Sequence, residues 1–314
     1  MTLLGVLDDI RASGESSRAD IATRTGLGRA LVNQRLGELL DLRLISDREL
    51  GASTGGRAPR TVRFNPGVGT LLAADLGATG VDVAVTDLAG NLLARDRAGT
   101  NVVDGPESVL AVICARFDRM LEALDDRPLW GVGLGVPGPV EFGTGRVVAP
   151  PIMPGWADYP IRERLAERYA APVWVDNDVN VLMLGELRAG AARGQQNAMM
   201  VKLGTGTGIG AGIVMEGRCA GARWAPPAMW VVLGGRVAQS SDVLLAAIRQ
   251  TVYAKSLPFA TRRLEITNAQ LGADGGVIGV ATMVVDELLS PGRFVAWTPF
   301  GAPAGRPDIA GPAA

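Results

Sequence analysis

Hydrophobic and polar positions change their rhythm near residue 66. Before it, "LLGVLDDI" (Leu3–Ile10) spaces apolar residues as one face of a helix. Residues Ser16–Leu27 offer Ser17 as an N-cap with Asp20 three positions on, and a helix stop near Gly26. Gly28–Ile45 predicts a third helix with Leu31, Leu36, Leu39 and Leu40 on its inner face. A short strand, the Gly-rich "GASTGGRAPR" (Gly51–Arg60) and "TVRFNP" follow. Three helices and then strand, loop and strand is the order of a winged helix–turn–helix, here over residues 1–66.

From Thr70 the period changes to two. "TLLAADLGATGVDVAVTDLAGNLLARDR" predicts three strands joined by tight turns. Glu107–Leu124 is an amphipathic helix, and "LWGVGLGVPGPV" is a buried strand entering a Pro/Gly turn. "PVWVDNDVNVLMLGELRAGAA" predicts a strand, a polar turn and another helix. "AMMVKLGTGTGIGAGIV" then repeats the strand–glycine turn–strand pattern. Two such hairpins, each opening a half, predict a duplicated two-lobed α/β body with lobes at 70–190 and 191–290. The final residues, 291–314, are rich in Gly, Pro and Ala and predict a flexible tail.

Composition narrows the chemistry. Of 314 residues, 47% are hydrophobic and 20% charged, which suits a large core. A net charge of −1 means that any nucleic-acid surface is local. In residues 1–66, ten Arg face eight Asp plus Glu. Arg29, Asn33, Gln34 and Arg35 fall on the third helix, and Arg57 and Arg60 in the wing, where guanidinium groups suit phosphates and base edges. For any one Arg, a solvated surface role is the simpler reading; the ordered set points to double-stranded DNA. Histidine is absent and there are two cysteines, so one chain holds no Cys/His zinc site. No apolar run reaches about 18 residues, so no membrane partner is expected. Sparse cysteine suits a cytoplasmic location.

Three motifs carry candidate chemistry. "DLGATG" sets Asp75 at a strand end, followed by Gly77 and Thr79 in a turn suited to a phosphate and its metal. "LGTGTGIGAG" repeats the idea with Gly204, Thr205 and Gly206. "VDNDVN" gathers carboxylates and amides where a strand meets a helix; Asp178 suits either a general base or a helix N-terminus.

In chain order these pieces resemble the ROK family of repressors, uncharacterised proteins and sugar kinases. The resemblance rests on the "GGRAPR" wing, "DLGAT", "GVGLGVPGPV", "PPIMPGW", "VDNDVN", "LGTGTGIGAGIV" and "VVLGGRVAQ". It implies an actin-like, ribonuclease-H-like duplicated body. It places Asp178 at the kinase base position, Gly138 and Asn177 at the sugar, and Gly234 and Gly235 on the nucleotide side. It also implies a homodimer and a small sugar effector.

The sequence departs from the family after "GARW". A Glu and Gly-His sugar motif, a zinc loop and several dozen further residues are expected there; instead "APPAM" leads straight into "WVVLGG". The second lobe is therefore expected to be incomplete, with Trp224, Met229 and Trp230 partly exposed. The favoured expectation is a carbohydrate-gene regulator, a probable repressor in family terms, with weak or lost sugar response and no kinase activity. It needs no cofactor and no zinc. The alternatives are an ATP- and Mg²⁺-dependent sugar kinase, or a truncated relic that binds DNA constitutively.

Overall fold

The computed structural model describes residues 2–49, 60–124, 127–204, 208–215, 229–239 and 242–311. The head comprises α1 (Leu3–Ser13), β1 (Ser16–Ser17), α2 (Arg18–Thr25), α3 (Arg29–Asp41), β2 (Ile45–Glu49) and β3 (Arg60–Phe64). β3 pairs antiparallel with both β1 and β2. Ser17 and Asp20 form the expected capping box on α2, satisfying two backbone donors at once. On α3 the buried face is Val32, Leu36 and Leu39; Leu31 and Leu40 lie at its margins, half-buried. The wing tip, including Arg57, lies outside the described residues.

The first lobe holds β4 (Thr70–Gly77), β5 (Gly80–Asp87), β6 (Leu92–Gly99), α4 (Pro106–Glu122), β7 (Leu129–Val136), the small ribbon of β8 (Val140–Glu141) and β9 (Arg146–Val147), α5 (Ile161–Tyr169), β10 (Val173–Asn177) and α6 (Asp178–Ala189). Its sheet runs β10-β7-β4-β5-β6, parallel on the β7 side of β4 and antiparallel on the β5 side. The second lobe holds β11 (Ala198–Leu203), β12 (Ile209–Val214), β13 (Met229–Gly234), α7 (Arg236–Gln239), α8 (Asp242–Lys255), α9 (Pro258–Thr261), β14 (Leu264–Asn268) and α10 (Gly275–Leu288). Its sheet runs β12-β11-β13-β14. β11 thus stands for β4, β12 for β5, β13 for β7 and β14 for β10, which makes the body a duplicated actin-like fold.

Among the described residues no strand matches β6 and no helix matches α4. Residues 216–228 join β12 to β13 and are fewer than the 17 residues of α4 alone. The outer face of β12 shows the consequence. Ile209, Ile213 and Met215 are exposed, whereas Val81, Val83 and Val85 of β5 are buried in the core that α4 completes. Met229 and Trp230 are half-buried, and Trp224 lies outside the described residues.

Helices α6 and α10 cross between the two sheets. A side chain at Gly279 would overlap the Val181 carbonyl, and one at Gly185 would overlap the Gly275 carbonyl. Only glycine permits that approach. Glu186, fully buried, staples the crossing: its carboxylate accepts from the Ala191 (2.7 Å), Gln270 (3.0 Å) and Leu271 (2.9 Å) amides.

Residues 291–311 correct the expectation of a flexible tail. After α10 the chain forms α11 (Pro291–Trp297) and two short 3₁₀ turns. Trp297 is fully buried, lies 5.3 Å from the Trp130 ring centroid and donates from Nε1 to the Leu288 carbonyl (2.8 Å). Gly and Pro here shape a tight path that lays two aromatic rings, Phe294 and Trp297, on the first lobe.

Head and body share one apolar core, which runs from Leu4, Leu7 and Ile10 to Val284, Val285 and Leu288 of α10. The Leu88 amide donates to the Pro66 carbonyl (3.1 Å) across the junction. Beside it, Arg11 lines a crevice with Arg188 at the end of α6 and Asp286 on α10. Burial and neighbouring Arg188 lower the Arg11 pKa; burial raises that of Asp286, against the pull of Arg11 and Arg188.

Trp297→Ala is expected to destabilise the protein by about 3–5 kcal/mol, the usual cost of deleting a buried indole. Urea unfolding measures it; a change under about 1 kcal/mol would mean that the C-terminal segment is not packed as described.

Candidate functional site

The cleft between the lobes is built by two strand ends and two helix starts. Asp75 ends the buried row of β4 and faces α10, where a side chain at Gly276 would overlap its carboxylate. In the second lobe the same position, one residue before the Leu-Gly turn, is Lys202. "DLG" at 75–77 corresponds to "KLG" at 202–204. Strand alternation places Lys202 on the same face as Ala198 and Met200, toward α6. There its Nζ donates to Asp178 Oδ2 at 2.6 Å. Duplication has therefore set a carboxylate and an ammonium opposite one another.

Electrostatics follow from this pairing. Burial pushes the Asp75 carboxyl up to about 6, with Lys202 pulling it down and Asp178 and Asp82 pushing it up. Part of Asp75 opens to the cleft, but packed atoms enclose the group, and Oδ1 is buried with no hydrogen-bond partner among the described residues. Burial works against the Lys202 charge, yet Asp75 and Asp178 outweigh it and hold that pKa above its ordinary value. Arg97 lies 3.6 Å from Asp82 at the cleft wall, and Arg236 lines the same wall.

The predicted residues divide clearly. Asp75, Gly77, Thr79, Gly204 and Gly235 line one half of the cleft with Asp178 and Lys202. Gly138, Asn177 and Asp178 line the other, with Asn180 and Lys202. Asn177 is already engaged: Oδ1 accepts from the Val179 amide as the α6 N-cap (2.9 Å), and Nδ2 donates to the Gly138 carbonyl (2.9 Å). Gly234 does not reach the cleft; it is buried, and a side chain there would press on Met200 and Leu182. The "PGW" loop does not line it with its indole either, because Trp156 is fully buried and donates to the Val102 carbonyl (2.9 Å). Thr205 and Gly206 lie outside the described residues.

On the head, Arg29, Asn33 and Gln34 are exposed on α3. Arg35 is turned along the helix, its guanidinium held by Glu38 at 2.9 Å. Asn33 accepts from Arg18 (3.1 Å), and Gln34 donates to Glu38 (3.0 Å). Arg60 begins β3.

Lys202, Asp82, Arg97 and Arg236 are cleft residues that motif reading passes over. For Lys202 a signal existed. The chain writes its basic residues almost wholly as Arg, and one of its two lysines stands immediately before a glycine turn.

The donor set does not fit a divalent ion. Asp178 already holds a cation, and the described residues contain no cluster of three or more metal-ligating side chains. A divalent ion about 4 Å from the ammonium would face roughly 8 kcal/mol of repulsion at an effective dielectric constant near 20.

The ROK family profile matches residues 71–223. The chain carries a ROK-family domain. It is 26% identical over 204 residues to the xylose repressor of Caldicellulosiruptor bescii, covering 64% of this chain and 50% of that protein. It is 36% identical over 145 residues to the glucokinase of Halalkalibacterium halodurans, covering 46% of this chain and 43% of that one. The chain thus spans about half the length of the curated relatives it matches. Among solved structures, a ROK family transcriptional regulator, described as a homolog of the E. coli MLC protein, superposes with a TM-score of 0.76 at 18% identity, over 94% of this chain and 98% of its own. A ROK family glucokinase from Streptomyces griseus gives 0.58 at 19%, over 68% and 99%. The first likeness takes in the head as well as the body. No helix among the described residues is long and apolar enough to cross a membrane.

Asp75→Asn is expected to stabilise the protein at pH 7.5 and to change little at pH 4. A carboxyl with a raised folded-state pKa favours its proton, so its ionisation removes stability as pH rises from about 4 through about 6. Asparagine has no such loss, and the two melting curves should diverge by on the order of 2–3 kcal/mol above pH 6. Curves that stay parallel from pH 4 to pH 7.5 would contradict the assignment.

Proposed function

We propose that the protein is a DNA-binding transcriptional regulator of carbohydrate-linked genes in which the kinase-like body is the base of the head and does not transfer phosphate. The observation that carries this is the continuous core from α1 to α10, which seats the head on the helix that also closes the cleft. The xylose repressor relatives support the regulatory reading. In operation, α3 enters the major groove and presents Arg29, Asn33 and Gln34 to base edges, with Arg60 at the base of the wing near the backbone. A homodimer reads two half-sites.

Effector response follows from the geometry of α6 and α10. Both helices begin at the cleft, next to Asp178 and Asp75, and both end under the head, at Arg188 and Asp286. A sugar that drew the lobes together would press on two stiff rods, each on the order of 20 Å long. Their far ends bear on Arg11.

A sugar kinase is the second reading. The glucokinase similarity and the two glycine turns favour it. The ion pair on Asp178 opposes it, because a general base must be free to accept a proton.

Fluorescence anisotropy on duplex DNA from upstream of the gene, at two salt concentrations, tests the proposal. Arg29→Ala/Asn33→Ala is expected to weaken binding at least tenfold without moving the melting temperature. Loss of the Arg29 charge is expected to lower the salt slope by at most about one. Coupled ADP release with a panel of sugars is expected to stay at background. Unchanged affinity in the double variant, or sugar-dependent ADP release, would contradict the reading.

A further inference from the structure

We propose that Lys202 is a built-in cation that takes the place of a divalent metal ion between Asp75 and Asp178, so that this cleft works without one. The proposal concerns the cleft alone and stands whether or not the head binds DNA.

Asp75 and Asp178 both belong to the first lobe and approach the cleft floor from β4 and from the first turn of α6, while Lys202 reaches it from β11 of the second lobe. A pair of carboxylates at such a place attracts a cation. Here the chain supplies the cation itself, 2.6 Å from Asp178 and carried by the repeat-related partner of Asp75. The ammonium is mostly buried, with 21% of its side-chain surface exposed, and the Asp178 side chain shows 9%. The ammonium already occupies Asp178 Oδ2. The guanidinium groups of Arg97 and Arg236, which also line the cleft, both act on Asp82. An ammonium also differs from a metal in kind: it donates three hydrogen bonds and coordinates nothing. A ligand hydroxyl meeting Lys202 and Asp178 together finds a donor and an acceptor side by side.

The test uses Mn²⁺ as the probe, read by water-proton relaxation on the full chain. Wild type is expected to bind Mn²⁺ no better than a generic acidic surface, at millimolar concentrations. Lys202→Met leaves the two carboxylates facing one another, and it is expected to bind Mn²⁺ at least tenfold more tightly. Adding Asp178→Asn should remove the gain. A folded Lys202→Met protein that binds Mn²⁺ no better than wild type would overturn the proposal.

Because unpaired buried carboxylates can prevent folding, Lys202→Gln is the second variant, read by the same criterion. The wild-type titration also stands by itself. Micromolar Mn²⁺ binding that Asp75→Asn abolishes would overturn the proposal without any Lys202 variant. Circular dichroism establishes that each variant is folded before its titration is read.

Discussion

The contact between α6 and α10 governs the rest of the molecule. Gly185 and Gly279 let two helix backbones touch, and no other residue fits at either place. From that contact each sheet receives its cover: α10 lies on β4 and β7, and α6 lies on β11 and β12. The same crossing brings the first residues of both helices to one cleft and the last turns of both beneath the head. Glu186, buried and bonded to three amides around the crossing, fixes the relative height of the two helices. A buried carboxylate is costly unless its oxygens are satisfied, and here the backbone satisfies them.

The symmetry of the duplication is broken in two places. Along the cleft, "DLG" answers "KLG", so that one half of the duplication presents an acid and the other a base. At the periphery, the second sheet lacks counterparts of β6 and α4 among the described residues. The first change pairs Asp178 with an ammonium. The second leaves Ile209, Ile213 and Met215 in water, where the first lobe buries its equivalents. Neither change touches the crossing, so the scaffold survives while the features around it are altered.

What could be read from the sequence was whatever depended on local spacing. The capping box at Ser17 and Asp20, the β4–β5 hairpin around "DLGATG" and the start of α6 at "VDNDVN" all lie where pattern and turn chemistry place them. What could not be read depended on tertiary contact. Pro and Gly in 291–311 look like a tail until Trp297 meets Trp130. Gly234 looks like a phosphate loop until Met200 covers it. Lys202 stands out in the sequence only by its rarity, because the fold alone lines it up against Asp75 and Asp178.

Head and body share one core, so the two are expected to unfold together. Hydrogen exchange under native conditions, followed by peptide across a denaturant series, tests this most directly. The account predicts that amides of α1 and α10 open with the same free energy and the same denaturant dependence, in one cooperative event that matches global unfolding. Exchange of α1 through a separate opening, at lower free energy and with α10 still protected, would contradict it. The head would then be a tethered module rather than part of the core.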